Sequence, residues 1–284
     1  MEFSLITLVF NRETHLKNML KAVQNNSLKP SEIIIVNMGD MPELSSYDDL
    51  PLIVVDFQKY VDGPLPLAAA RNAGAKNAKY ELLFFLDVDC VPSFTYFEDL
   101  LEHHEQCQGL IMATPRYLTS ALPQNFDEKD LIAFSVFHPH RPNVKPYEHF
   151  VDGGMFWSLC FTTKRSTFFE LGGFDEQFVG YGGEDTDFGF SLCNERDGFF
   201  ISSAQVYHQQ HPVYNPPLHK MNEIVRNSQL FYNKWGIWPM GAWLQEFVNH
   251  DLISWHPEAT KITIKSYPNK RLLNACYKED AAFI

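Results

Sequence analysis

No run of the chain approaches the ~18 consecutive apolar residues that a membrane-spanning helix needs, and no segment repeats or falls into low complexity. Cysteine is sparse. The five, Cys90, Cys107, Cys160, Cys193 and Cys276, cannot all pair within one chain, and none forms a Cys-x-x-Cys. They read as free thiols in a reducing compartment. Basic residues are outnumbered, 23 against 35 acidic, leaving a formal charge of −12. That balance argues against nucleic acid and anionic membranes as partners. A strand-like run begins at Phe3, which leaves no room for a signal peptide. The expected location is cytoplasmic.

What is present is ordinary globular composition, 45% hydrophobic and 20% charged over 284 residues, enough for one large domain or two small ones. Phe3 to Phe10 is short, apolar and β-rich, as in a parallel strand covered on both faces. A helix follows with Leu16, Met19, Leu20 and Val23 on one face, then strands over Glu32 to Val36 and Leu52 to Asp56. This is a βαβ unit, which predicts a right-handed crossover and a parallel pair. An alanine-rich helix from Leu67 leads to a strand over Glu81 to Leu86, and a helix over Phe94 to Cys107 comes next. Residues 114–150 carry five prolines and little pattern, so they read as a functional loop, a lid or acceptor-side segment. A strand follows Gly153-Gly154. Lys164 to Leu171 reads as a short helix closed by Gly172-Gly173, and Phe199 to Tyr207 as the strand that delivers His208. From Pro212 two helices and an irregular tail are expected. The prediction is an α/β fold with a mainly parallel central sheet over residues 1–211, and a C-terminal helical cap over 212–284 packed on the same domain.

The stretch around which the rest is arranged is Phe178 to Phe188, Phe-Val-Gly-Tyr-Gly-Gly-Glu-Asp-Thr-Asp-Phe. Glycines permit a tight turn at positive φ and leave space for a ligand. The acids fall in the first turn of a helix, where a carboxylate is favoured. An acidic N-cap is the plain alternative. The company is what points to chemistry. Asp87-Val88-Asp89 closes one buried-looking strand and His208 closes another. In extended backbone residues two apart point the same way, so Asp87 and Asp89 would face one ion, with His208 as a third ligand. Carboxylates suit Mg2+ or Mn2+, and an imidazole tilts the choice to Mn2+. The plain alternatives are a solvated Asp-x-Asp turn and a capping histidine. His208 is preferred over His211 because it directly follows the strand. Arg71 reads as a phosphate clamp or a helix-surface arginine. Tyr181 and Trp157 read as sugar-stacking rings or core.

The ordered set Asn11-Arg12-Glu13, Arg71-Asn72-Ala73-Gly74, Asp87-Val88-Asp89, Gly172-Gly173-Phe174-Asp175 and Gly182-Gly183-Glu184-Asp185 resembles metal-dependent glycosyltransferases of the GT-A fold. The likeness is strongest to family 2 and the β-1,4-galactosyltransferase-like group, and spans roughly residues 3–211. It implies a Rossmann-like domain holding a nucleotide sugar, such as UDP-Gal, UDP-Glc or UDP-GalNAc, for polysaccharide biosynthesis. Leu8, Val9, Phe10, Arg12 and Asn37 would approach the base, with Arg71 and Val88 also on the donor. Asp87 would meet ribose or metal, and Asp89 and His208 would hold Mn2+ or Mg2+. Gly153 and Gly154 would let the donor sugar come close. Asp185 would be the general base, with Glu184 and Tyr181 orienting hydroxyls and Trp157 on the acceptor side. Many family members carry Asp where Asn37 stands. The implied reaction is an inverting single displacement onto a saccharide or other hydroxyl acceptor. Two other classes remain: a sugar-nucleotidyltransferase, which would be expected to carry a glycine-rich basic loop after its first strand, and a non-catalytic nucleotide-sugar-binding module.

Overall fold

The structure, a computed structural model, describes residues 1–57, 63–107, 109–139, 145 and 147–281. Ten strands form one sheet: β1 (Phe3–Val9), β2 (Glu32–Asn37), β3 (Leu52–Asp56), β4 (Leu82–Leu86), β5 (Cys90–Pro92), β6 (Ile111–Leu118), β7 (Ser135–Phe137), β8 (Glu148–Phe150), β9 (Cys160–Lys164) and β10 (Phe199–His208). The order is β3-β2-β1-β4-β9-β6-β10-β5, with β7 beside β6 and β8 beside β10. β1, β2, β3 and β4 pair in parallel, as do β6 and β10, while β9 runs antiparallel between β4 and β6. Six strands of the main path therefore point the same way. Their carboxyl ends share one edge of the sheet, the edge where open α/β sheets bind ligands.

Strand alternation sorts the core into two layers. Phe3, Leu5, Val9, Ile33 and Ile35 pack on one face with Leu16, Met19, Leu20 and Val23 of α1 (Glu13–Gln24) and Phe97 and Leu100. Ile6, Leu8, Ile34 and Val36 pack on the other with Ala68, Ala70 and Ala75 of α2 (Leu67–Asn77). Both faces are covered, which is why these strands read as unbroken apolar runs. α3 (Tyr96–Gln106) supplies Phe97 and Leu100 to the first layer.

The stretch expected to be a loop is more regular than its composition indicated. It holds most of β6, then α4 (Glu128–Ala133), β7 and β8. α4 opens on a capping box between Asp127 and Asp130. Helix and strand pieces of three to six residues are too short to display periodicity. Part of the proposed lid, residues 140–144 and 146, lies outside the described residues. The segment over 165–171 forms α5 (Arg165–Glu170), closed by Gly172 and Gly173 at φ 82 and 68.

After β10 come α7 (Met221–Trp235) and α8 (Gly241–Asn249), preceded in sequence by α6 (Glu184–Arg196) and followed by α9 (Lys270–Cys276). The tail is less irregular than expected. Val213–Tyr214 pairs with Tyr277–Lys278, and Ile253–Ser254 with Thr263–Ile264. This part has its own core around Met221, Ile224, Leu244, Phe247 and Ile253. Polar clasps tie it to α6. Buried Asp187 accepts from Lys234 Nζ at 2.8 Å and Trp235 Nε1 at 2.7 Å. Asn227, fully buried, donates to the carbonyl of Gly182 at 2.8 Å. Among the described residues no helix is long and apolar enough to cross a membrane.

Candidate active site

A cleft of about 1010 Å³ opens at the carboxyl edge of the sheet. Its floor comes from Leu8 in β1, from Phe10 and Arg12 after it, and from Asp87, Val88 and Asp89 after β4. His208 and His211 enter from the end of β10, and Tyr181, Glu184 and Asp185 from the start of α6. Trp157 also lines it. Most of the residues proposed from sequence are thus gathered, because the topology brings three separate strand ends and the start of α6 to one place.

Asp87 and Asp89 meet different partners. The backbone from Asp87 to Cys90 is a turn closed by a Cys90 N to Asp87 O hydrogen bond of 2.9 Å, not extended strand. The extended-backbone premise for two carboxylates on one ion therefore does not apply. Asp87 accepts from Arg71 at 3.2 Å. Asp89 directly precedes β5, which pairs antiparallel with β10 and sets His208 opposite Cys90. Its Oδ1 lies 3.7 Å from His208 Nε2 and its Oδ2 3.8 Å from His211 Nε2. Both separations exceed a hydrogen bond, yet the ligand atoms of Asp89, His208 and His211 lie within 4.8 Å of one another. They form the group of candidate metal ligands among the described residues.

The electrostatics favour a neutral His208 imidazole beside an ionised Asp89 carboxylate. Burial pushes His208 below its ordinary pKa, against the pull of Asp89. Burial opposes ionisation of Asp89, but His208, His211 and Arg12 outweigh it and hold the carboxyl below its usual value. His208 Nδ1 is buried without a hydrogen-bond partner. One carboxylate oxygen donor and two imidazoles suit a borderline divalent ion such as Mn2+. His15, beside His211 at 6.1 Å between rings, is pushed down to about 4 by burial and by Arg12.

Across the cleft, Glu184 and Asp185 open α6. Gly182 and Gly183 stand at φ 83 and 94, left-handed values that glycine accepts at no steric cost. Glu184 is 7% exposed and its Oε1 accepts from Arg71 at 3.3 Å, while its Oε2 is buried with no partner. Burial, then the charge of Asp185, pushes its carboxyl from 4.5 up to about 7. Asp185 is half-buried, its Oδ1 held by Thr186 N at 2.7 Å. Burial raises its carboxyl too, against that hydrogen bond. Arg71, expected on a phosphate, lines the cleft and joins Asp87 to Glu184.

Four expected donor contacts do not reach the cleft. Val9 points to the opposite layer from Leu8 and Phe10, as strand alternation requires. Asn37 uses both ends of its amide internally, accepting from Gly39 N at 3.1 Å and donating to Asp56 Oδ1 at 3.1 Å. Gly153 lies in a single 3-10 turn against α6. A Cβ there would fall 2.6 Å from the Phe190 nitrogen, so the close approach is between two backbones rather than to a sugar. Gly154 is exposed and donates to Asp152 Oδ1 at 2.9 Å.

Other lining residues were not anticipated. His211, passed over in sequence for the strand-end His208, brings its Nε2 to 3.8 Å from Asp89 Oδ2. Tyr117 of β6 lies 5.1 Å from the His208 ring, and His138 meets Trp157 edge-on at 5.1 Å. Met240, Trp243 and Glu246 come from the C-terminal part. Only the His208-x-x-His211 spacing carried a sequence signal.

Comparison with known proteins bears on this arrangement. The chain is 26% identical over 215 residues to validoxylamine A glucosyltransferase of Streptomyces hygroscopicus subsp. limoneus, covering 66% of this chain and 47% of that protein. It is 26% identical over 254 residues to hyaluronan synthase of Pasteurella multocida, covering 74% of this chain and 24% of that protein. The chain thus spans less than half the length of these curated relatives. Among solved structures, S. aureus TarS 1–349 superposes with TM-score 0.58 at 15% identity, over 81% of this chain and 64% of that one. GalNAc-T7, solved with UDP, GalNAc and Mn2+, gives 0.56 at 18% identity, over 73% of this chain and 43% of that one. These likenesses establish the fold, which is GT-A. Residues 5–215 match the family described as glycosyltransferase like family 2, and by that match the chain belongs to it.

Proposed function

We propose that the chain transfers a hexose, with inversion, from a UDP-sugar to a hydroxyl of a saccharide acceptor. The observation that carries this reading is the pairing across one cleft of a ligand set, Asp89, His208 and His211, with two burial-raised carboxyls, Glu184 and Asp185. Neighbouring folds solved with UDP and with UDP-GlcNAc support a nucleotide-sugar donor. The β-1,4-galactosyltransferase-like assignment is part of the same proposal and rests on the Gly-Gly-Glu-Asp turn.

Asp89, His208 and His211 would hold a divalent ion, Mn2+ by preference. Such an ion, when bound, neutralises a diphosphate leaving group. Leu8, Phe10 and Arg12 line the end of the cleft available to the nucleoside. Asp185 accepts the proton of the attacking hydroxyl, its Oδ2 being the oxygen not engaged by Thr186. General-base assistance of this kind contributes on the order of 10²–10⁴-fold. Glu184 orients hydroxyls through its unpartnered Oε2, its other oxygen fixed by Arg71.

The test is UDP release. The protein is incubated with Mn2+ and a panel of nucleotide sugars, with and without saccharides. Slow UDP release that accelerates with an acceptor supports the transferase. Pyrophosphate exchange would instead identify a nucleotidyltransferase, and binding without turnover a sugar-nucleotide-binding module.

A further inference from the structure

The family match ends at residue 215, yet the cleft continues beyond it. Its wall beside Asp185 is built by α8 and the residue before it. A Cβ on Gly182 would fall 2.6 Å from Met240 Sδ and 3.9 Å from the Trp243 ring, so these side chains lie directly over the turn that presents Glu184 and Asp185. The Trp243 ring is 5.7 Å from that of Tyr181, tilted by 34°. Glu246, one helical turn further on, lines the same wall.

On the reading above, an acceptor hydroxyl must reach Asp185, so the acceptor occupies this end of the cleft. We infer that α8 selects the acceptor, and that it admits neutral or amine-bearing saccharides and rejects anionic ones. The inference rests on the transferase reading for the word acceptor, and on local chemistry for the selection itself.

Charge is the first argument. Five carboxyl groups line the cleft: Asp87, Asp89, Glu184, Asp185 and Glu246. The arginines lining it, among the described residues, are Arg12 and Arg71. Arg71 is already shared between Asp87 and Glu184, and Arg12 stands after β1 at the other end. Two cations on the elements beside the Tyr181 turn are, among the described residues, committed as well. Lys220 pairs with Glu223 at 3.0 Å, and Arg226 binds the Val179 carbonyl and the Asn227 side chain. A uronic acid or sugar phosphate at this end would meet Asp185 and Glu246, which line the cleft with no ion pair among the described residues, the repulsive element that selectivity requires.

Shape and hydrogen bonding are the second. Tyr181 and Trp243 are both only partly buried and present faces suited to the apolar C–H faces of a pyranose. Among the described residues Glu246 Oε1 receives only Asn249 Nδ2, at 3.3 Å. Its remaining acceptor capacity can take sugar hydroxyls, or an ammonium with charge assistance.

The test is binding, independent of turnover. The full chain, saturated with Mg2+ and UDP, is titrated in a calorimeter with three disaccharides of one size: neutral N-acetylglucosamine, cationic glucosamine and glucuronic-acid-bearing. The first two should bind at least tenfold tighter than the third in low salt, with the gap between cationic and anionic narrowing as salt is raised. Glu246→Lys should reverse the order of the two charged probes. Trp243→Ala should weaken the neutral probe about tenfold while UDP affinity, measured on the same sample, stays within twofold. Equal or tighter binding of the glucuronic probe, an order unmoved by Glu246→Lys, or no binding of any probe would overturn the inference. Charge-ordered binding without UDP release from any nucleotide sugar would instead sink the transferase reading and leave α8 as a saccharide-selecting wall.

Discussion

The guanidinium of Arg71 lies 3.3 Å from Glu184 Oε1 and 3.2 Å from Asp87 Oδ1. One buried cation thus joins the end of β4 to the start of α6, across 113 residues of sequence on the Glu184 side. It sets the distance between the two walls of the cleft from beneath.

Removing it should cost stability and order together. Arg71→Ala leaves two carboxylates without their counter-charge, a loss of about 3–5 kcal/mol for a broken buried pair. Urea unfolding measures it. Arg71→Lys should recover only part, because an ammonium lacks the fork that reaches both partners. Full stability in Arg71→Lys would show that charge alone matters here.

The ion-binding set predicts an order among four variants. UDP affinity should fall in EDTA. Asp89→Ala, His208→Ala and His211→Ala should each lose most of the metal-dependent part, and Asp87→Ala clearly less. Calorimetry with and without Mn2+ reads this directly. An Asp87 variant as damaging as Asp89, with His211→Ala silent, would return the ligand set to the one expected from sequence.

Asp185→Asn keeps size and removes the proton acceptor. Transfer should drop by roughly 10²-fold or more, with UDP affinity nearly unchanged because the metal set lies across the cleft. If both fall, Asp185 is a ligand. If neither falls, it is a cap, a role Asn fills as well. Loss of rate in Glu184→Gln with retention in Asp185→Asn would move the base one position back.

Stability should fall with rising pH through Glu184. Its carboxyl is raised from 4.5 in the unfolded chain to about 7 in the folded one, first by burial and then by Asp185. Between these values the folded state holds more protons, so the slope of unfolding free energy with pH is negative. The group's stabilisation is full below about 4.5 and gone above about 7. Glu184→Gln lacks this dependence. The stability of wild type relative to the variant should therefore decline by roughly 3 kcal/mol between pH 4.5 and 8. A constant difference would mean that Glu184 ionises alike in both states.

The C-terminal clasp gives a last expectation. Asp187→Ala leaves Lys234 and Trp235 without the carboxylate they share. Stability should fall by about 2–4 kcal/mol, and catalytic rate with it, since Asp187 sits two residues from Asp185 on the same helix. Hydrogen exchange of α6 and α7 checks whether the two loosen together.

Local physics made much of this protein readable from the chain alone. The apolar runs at Phe3–Val9 and Glu32–Asn37 have a single outcome, strands covered on both faces. The glycines at 182 and 183 followed by acids place Glu184 and Asp185 at a helix start whatever surrounds them. Glu32 and Asn37 bound a strand, and His208 ends another, because breakers and periodicity act over a few residues.

Other features depend on which parts of the chain meet. Whether Asp87 and Asp89 face one ion or opposite partners turns on the turn at 87–90 and on β5, three residues long, pairing antiparallel with a strand more than a hundred positions away. His211 joins the ligand set because that pairing brings Asp89 to the end of β10, a contact no local pattern encodes. Gly153 is needed against Gly189 rather than against a sugar, since helix and turn happen to cross there. The wall beside the proposed base comes from α8, whose Met240 and Trp243 read as ordinary apolar helix residues until the Asn227 and Asp187 clasps lay that segment over the glycine turn. Spacing along the chain specifies backbone form within one element; the distance between side chains of different elements is set by packing and strand order, and the chemistry of the cleft is made of those distances.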